Sequence, residues 1–162
     1  MDAFGTPKRF RYHGWQLQAQ EADAQTIPTT TWTLVTYNDR DDFDPLDGHS
    51  TTFQTSRLYV KQSGVYIIYG FVYFAPNAVN ERYLRIEKNA GGVVVGGTFI
   101  ASQDYPASII VGGGTSISLT GFAYLNAGDY IEAFVFQRSG GDLNIGGIAT
   151  AANKLGFAYL GE

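Results

Sequence analysis

The chain has 162 residues and a formal net charge of −4, from 11 Lys and Arg against 15 Asp and Glu. That length suits one domain, and the acidic balance argues against a general nucleic-acid binder, which carries a basic excess. With no Cys the chain can form no disulfide, thiolate metal site or Cys nucleophile, and with 44% hydrophobic and 15% aromatic residues it has too much apolar surface to stay disordered.

Residues 1–28 are polar and show no sustained periodicity. Gln16, Gln18, Gln20 and Gln25 alternate with little that is apolar, and Phe4, Phe10, Tyr12, Trp15 and Leu17 are scattered among them. Lys8, Arg9 and Arg11 form a basic cluster, but no apolar stretch follows it, so it does not read as a secretory signal. We expect a docking arm over 1–28, separate from a domain over 29–162. Phe4, Lys8, Arg9, Phe10, Arg11, Tyr12 and Trp15 are its candidate contact residues. So few basic residues give little affinity for nucleic acid at physiological salt, and their mixture with aromatic rings suits a protein surface better. No uninterrupted apolar run is long enough to span a bilayer as a helix, and no lipidation signal stands at either end, so no membrane partner is expected.

From residue 29 the pattern is that of pleated sheet. Residues 31–37 alternate and are rich in β-formers. Residues 38–50 read as a turn-rich acidic loop, and 58–61 as a short strand. Gly64 opens a long strand over 65–74, stopped by Pro76 and Asn77, and 82–88 alternates cleanly. Further strands are expected at 93–100, 108–111, 115–124, 130–137, 143–148 and 155–160, with a turn at Asn126–Asp129. Strands this short and closely spaced, without helices between them, indicate an all-β sandwich, jelly roll or barrel of eight to ten strands.

Several of these strands are apolar on both faces. In 65–74, Val65, Ile67, Tyr69, Phe71 and Tyr73 share one side, and Tyr66, Ile68, Val72 and Phe74 share the other with Gly70. Strand 130–137 sets Ile131, Ala133 and Val135 against Tyr130, Phe134 and Phe136, and the last strand sets Leu155, Phe157 and Tyr159 against Ala158 and Leu160. A simple two-sheet sandwich wets one face of each strand. Between Asn89 and Gly128 the only charge is Asp104. The surplus points to burial against a second copy of the chain.

Three segments resemble a known family. Phe43-Asp44-Pro45 leads to Phe53, Leu58 and the strand opening Gly64-Val65-Tyr66. Leu125-Asn126-Ala127-Gly128-Asp129-Tyr130-Ile131 is similar to a Leu-x-x-Gly-Asp-x-Val turn into a strand. Leu155-Gly156-Phe157-Ala158-Tyr159-Leu160 is similar to a Gly-Phe-x-x-Tyr terminal strand. Together they resemble the trimeric jelly-roll superfamily of the complement-q globular head and tumour necrosis factor, over about residues 29–162. The chain departs from that family's aromatic positions at Leu58, Ile68 and Gly70. The resemblance implies a ten-stranded antiparallel jelly roll that trimerises through one sheet, with strands 31–37, 65–74, 130–137 and 155–160 in that sheet. The expected trimer-interface residues are Tyr66, Ile68, Val72, Phe74, Tyr130, Phe134, Phe136, Phe157 and Tyr159.

Candidate chemistry is sparse. Asp39, Asp41, Asp42, Asp44 and Asp47 offer clustered carboxylates of the type a hard cation such as calcium prefers, and some proteins of the resembled fold bind calcium. Pro45 and Leu46 interrupt the spacing of a calcium-binding helix-loop-helix, so a solvated turn cluster without a metal is expected. His13 and His49 are the only histidines, and neither a Gly-x-Ser-x-Gly elbow nor a His-Glu-x-x-His pair is present, so neither an enzyme nor a zinc site is expected. Gly112-Gly113-Gly114-Thr115-Ser116 lacks the Lys of a phosphate loop and reads as a turn. No cofactor is expected.

The combined expectation is a non-enzymatic structural protein of a tailed-phage virion. It would be a trimeric capsid decoration (cement) or head-fibre protein, made in the host cytoplasm and anchored by its arm to the major capsid protein or another virion protein. The alternative is a receptor- or glycan-binding tip of a tail fibre or bacterial surface appendage, using loops 38–50 and 101–107.

Overall fold

The computed structural model describes residues 16–94, 96–110, 112–147 and 151–162. Among them are twelve strands and no helix. In chain order they are β1 (Gln16–Glu21), β2 (Gln25–Ile27), β3 (Thr33–Leu34), β4 (Arg40–Phe43), β5 (Leu58–Tyr59) and β6 (Gly64–Phe74). There follow β7 (Glu81–Lys88), β8 (Thr98–Pro106), β9 (Thr115–Leu125), β10 (Tyr130–Gln137), β11 (Leu143–Ile145) and β12 (Asn153–Gly161).

Two antiparallel sheets face each other. The first has seven strands: β9, β6, β12, β1 and β4 lie side by side, and the β11–β2 pair joins the Phe74 end of β6. The second has five: β8, β7 and β10 in order, with β3 and β5 pairing with different parts of β10. This is the antiparallel jelly-roll sandwich expected from the strand pattern.

The core lies between the sheets and follows the two-residue alternation of a strand. From the first sheet it takes Leu17, Ala19, Tyr66, Ile68, Val72, Phe74, Ile117, Leu155 and Phe157; from the second, Leu84, Ile86, Ile131, Ala133 and Val135. Gly70 sits in the inward row because Leu84 and Ile86 reach across to it. A Cβ there would come within 3.1 Å of Ile86 Cδ1, so the aromatic of the resembled family has no room.

Several expectations are corrected. The arm does not extend to residue 28. β1 pairs with β12 from Gln16↔Ala158 to Glu21↔Asn153, β2 pairs with β11, and Leu17, Ala19 and Ile27 are fully buried. The glutamines obscure β1 because Gln16, Gln18 and Gln20 occupy its outward face, alternating with Leu17 and Ala19 on the inward one. The candidate docking residues Phe4, Lys8, Arg9, Phe10, Arg11, Tyr12 and Trp15 lie outside the described residues. Within the acidic loop, Arg40–Phe43 forms an edge strand on β1. The strand expected at 93–100 begins only at Thr98 and runs to Pro106, so 101–107 is largely strand and no binding loop. Residues 108–110 belong to the turn between β8 and β9.

The proposed membership of one sheet is also overturned. β6 and β12 share the first sheet, whereas β10 and β3 belong to the second. The strands that flank β12 and β6 are β1 and β9.

Candidate interaction surface

None of the nine expected interface residues lies on the outward face of the first sheet. Tyr66, Ile68, Val72, Phe74 and Phe157 are in the core. Tyr159 points the same way, its ring 5.4 Å from that of Tyr66. Alternation separates the two faces of β6, and the row expected at the interface is the one buried between the sheets. The row that contains a glycine is the row facing the other sheet, because opposing side chains fill the gap.

Tyr130, Phe134 and Phe136 lie on the outward face of the second sheet, where the chain covers them itself. Phe136 packs against Trp32 at 5.2 Å and Tyr83 at 5.5 Å, and Arg57 lies over the Tyr130 ring at 4.5 Å. Phe134 is buried. Beside it, Glu132 and Glu87 stand directly opposite each other across β10 and β7, both fully buried. Glu132 accepts hydrogen bonds from Arg57 Nε at 3.0 Å and from the Gly92 N–H at 3.0 Å. Glu87 accepts from Arg85 Nε and from the Gly97 N–H. The glycine-rich segment after β7 is thus pinned over this sheet by two carboxylates, each compensated by an arginine. The apolar surplus of β10 therefore needs no second chain.

The first sheet keeps its surplus. On its outward face β6 presents Val65, Ile67, Tyr69, Phe71 and Tyr73, all at least partly exposed. Beside them β9 presents Phe122, 66% exposed, and Tyr124, and β12 presents Leu160. Two tyrosines lie flat over neighbouring glycines. A Cβ on Gly156 would fall 2.5 Å from Tyr69 Cζ, and one on Gly114 would fall 2.3 Å from Tyr73 Cζ. Toward the opposite edge the face turns polar: Tyr69 donates to Gln18 Oε1 at 3.1 Å, Gln20 donates to Asp42 Oδ1 at 2.8 Å, and Lys154 stands 3.9 Å from Asp42. The apolar half is therefore β6 with the Phe122–Tyr124 end of β9, whose other outward residues are Ser116, Ser118 and Thr120.

The edge adjoining that half is apolar too. Among the described residues, β9 pairs with β6 alone and β8 with β7 alone. Together these two edge strands form one open side of the sandwich. Phe99, Tyr105, Phe122 and Tyr124 are exposed on these two strands and Ile109 and Ile110 in the connection between them, and from Thr98 to Leu125 the only charge is Asp104. Natural edges usually carry charges that prevent further association. Here that protection is nearly absent.

The acidic loop is built as structure. Asp44 accepts from the Gly48 N–H at 2.7 Å and the His49 N–H at 2.9 Å, closing the turn. His49 is buried, with Nε2 3.0 Å from the Thr55 carbonyl and Nδ1 2.6 Å from Asp41 Oδ1. Burial raises the Asp41 carboxyl above its ordinary value, against the pull of His49. With both ring nitrogens engaged, His49 has none free to activate a nucleophile. Asp42 is taken by Gln20 and Arg40, and Asp39 and Asp47 are exposed. No cluster of three or more His, Asp or Glu suited to a metal occurs among the described residues. His13 lies outside them.

The same architecture occurs in solved structures. Eiger TNF from S. frugiperda superposes with a TM-score of 0.64 at 11% identity, covering 92% of this chain and 94% of that one. Murine APRIL gives 0.64 at 17% identity, covering 91% and 99%. The globular domain of zebrafish complement 1qA protein gives 0.56 at 16% identity, covering 90% and 95%. No protein-family model matches the sequence, and no curated protein matches it. The chain has the TNF and complement-1q type of jelly-roll fold. β1 and β2, within the segment expected to be an arm, belong to the sandwich.

Proposed function

We propose that this chain is a non-enzymatic, self-associating binding module: a homotrimer in which the apolar half of one copy's first sheet receives the apolar β8–β9 edge of the next. The carrying observation is the outward row Val65, Ile67, Tyr69, Phe71 and Tyr73 beside Phe122 and Tyr124. A contiguous apolar patch of this kind is unusual on a monomer. Face and edge are different surfaces, so their contact is head-to-tail, the kind that forms a ring when the rotation between copies closes. The trimeric arrangement implied by the sequence resemblance is such a ring.

Phe122→Glu tests this. Phe122 is exposed in the single chain, so the substitution leaves the core intact. We expect the variant to run as a folded monomer by sedimentation velocity. An unchanged assembly contradicts the reading.

The finer proposal is that the trimer is a virion component, a capsid decoration or head-fibre protein. Its support is compositional: the absence of Cys, and the basic and aromatic residues Lys8, Arg9, Phe10, Arg11, Tyr12 and Trp15 ahead of β1. Three copies of that segment would bind multivalently, each weak contact raising the effective concentration of the others. A trimer lacking residues 1–15 is expected to stay assembled and lose binding to virions. Retained binding contradicts this assignment.

A further inference from the structure

The two most exposed large apolar side chains among the described residues lie beyond the strand ends, in the connection that continues the β8–β9 edge. They are Ile109, 88% exposed, and Ile110, 73% exposed, at the tip joining β8 to β9. The tip is held outward by its own hydrogen bonds. Ala107 N–H donates to the Asn80 carbonyl at 2.8 Å, Ser108 N–H to Thr115 Oγ1 at 3.0 Å, and Gly113 N–H to the Ile110 carbonyl at 2.8 Å. Two isoleucines presented to water leave an apolar contact unmet.

The tip is continuous with the surface described above. It leaves the sheet where β9 begins, opposite Phe74 and Tyr73 of β6, and Gly114 lies against the Tyr73 ring. It is also the end of the uncharged β8–β9 edge. β1 begins opposite Ala158, toward the other end of the sheet, so the tip lies at the end away from Gln16. No charged residue lies between Asp104 and Asp129, so nothing in the tip's own chain segment favours an ionic partner.

We infer that Ile109 and Ile110 of the three copies pack against one another on the ring axis, forming an apolar plug at the end of the trimer distal to Gln16. This rests on the trimer reading. If each β8–β9 edge seats on the next copy's β6–β9 face, β9 belongs to both contacts, so the three β9 strands line the inside of the ring and the tips that precede them converge. The occupant of the tip is a second and third copy of the same tip.

The chain has no Cys, so a single introduced thiol is unambiguous. Ile110→Cys and, as a control, Phe53→Cys would be treated with a short bis-maleimide, with the mass measured in parallel. Phe53 is exposed in the loop between β4 and β5, and β4 lies at the opposite edge of the first sheet from β9. The expected result is efficient pairwise crosslinking of Ile110→Cys and none of Phe53→Cys. Ile109→Asp should raise the concentration at which the trimer dissociates by about tenfold or more. A trimeric mass without Ile110→Cys crosslinks overturns the plug and leaves the trimer reading standing. Monomeric mass at all concentrations overturns both. Flotation of the unaltered protein with neutral phosphatidylcholine vesicles, lost in Ile109→Asp, would make the tip a lipid-contacting element and overturn the plug.

Discussion

At the scale of single residues, buried polar groups decide where the chain is strong and where it is compromised. Tyr37 is fully buried, and its hydroxyl has no hydrogen-bond partner. Burial accordingly drives its ionisation far above the ordinary range. A lone buried hydroxyl costs more than it returns, so Tyr37→Phe is expected to stabilise the protein by about 1 kcal/mol in chemical denaturation. A loss of stability would mean that the hydroxyl has a partner. Arg57→Ala has the opposite sign. It leaves Glu132 buried without its cation and should cost about 3 kcal/mol; a change within about 0.5 kcal/mol, typical of an exposed pair, would contradict that reading. Asp129 closes the Asn126–Asp129 turn, accepting from the Asn126 N–H at 2.8 Å and from Asn89 Nδ2 at 2.7 Å, with Lys88 Nζ 3.4 Å away. Burial alone would raise its carboxyl, but these donors outweigh it and hold the group below the usual value. Its stabilisation is therefore present above the ordinary Asp value of about 3.9 and is lost as pH falls through the lower folded value. Asp129→Asn should flatten the acid limb of stability against pH, and an unchanged limb would assign it to other carboxylates. This aspartate was legible in the sequence as part of Leu-x-x-Gly-Asp. The Glu87–Glu132 pair was not, because nothing local marks two residues 45 apart as cross-strand neighbours.

At the scale of elements, the long central strands were readable and the peripheral ones were not. β6, β9 and β10 are long, rich in β-formers and bounded by turn residues, and their observed limits fall within a residue of those expected. β1 was missed because Gln16, Gln18 and Gln20 suppress the hydrophobic signal, leaving only Leu17 and Ala19 to carry its inward face. β4 was missed because Arg40, Asp41 and Asp42 suit a charged edge as well as a loop. The faces of β6 were separable by alternation, but which of them met the other sheet depended on Leu84 and Ile86 filling the gap at Gly70, a tertiary fact. The correction at β1 has a direct consequence. A chain beginning at Gln16 should unfold cooperatively at nearly the full-length midpoint. A chain beginning at Thr29 loses β1 and β2, exposes the flank of β12 and the core around Leu17, and should not fold. Cooperative folding of the shorter chain would return residues 16–28 to the arm.

At the scale of the whole molecule, one surface remains unaccounted for by the single chain. The second sheet covers its own aromatic residues with Trp32, Tyr83 and the segment pinned by Glu87 and Glu132. The first sheet leaves its β6–β9 half and the adjoining edge open, with Asp104 the only charge along that edge. The apolar surplus in the composition thus divides into a part the monomer buries and a part it cannot. The unburied part was anticipated from the sequence as a self-association surface, although on the opposite faces of β6 and β12. The most direct test is the molar mass of the unaltered protein by light scattering across a dilution series. Self-association through face and edge predicts a mass of about 53 kDa, three times the 17.7 kDa chain, giving way to monomer only on strong dilution. A mass of 17.7 kDa at every concentration would contradict it and leave the exposed β6–β9 face to a partner of another kind.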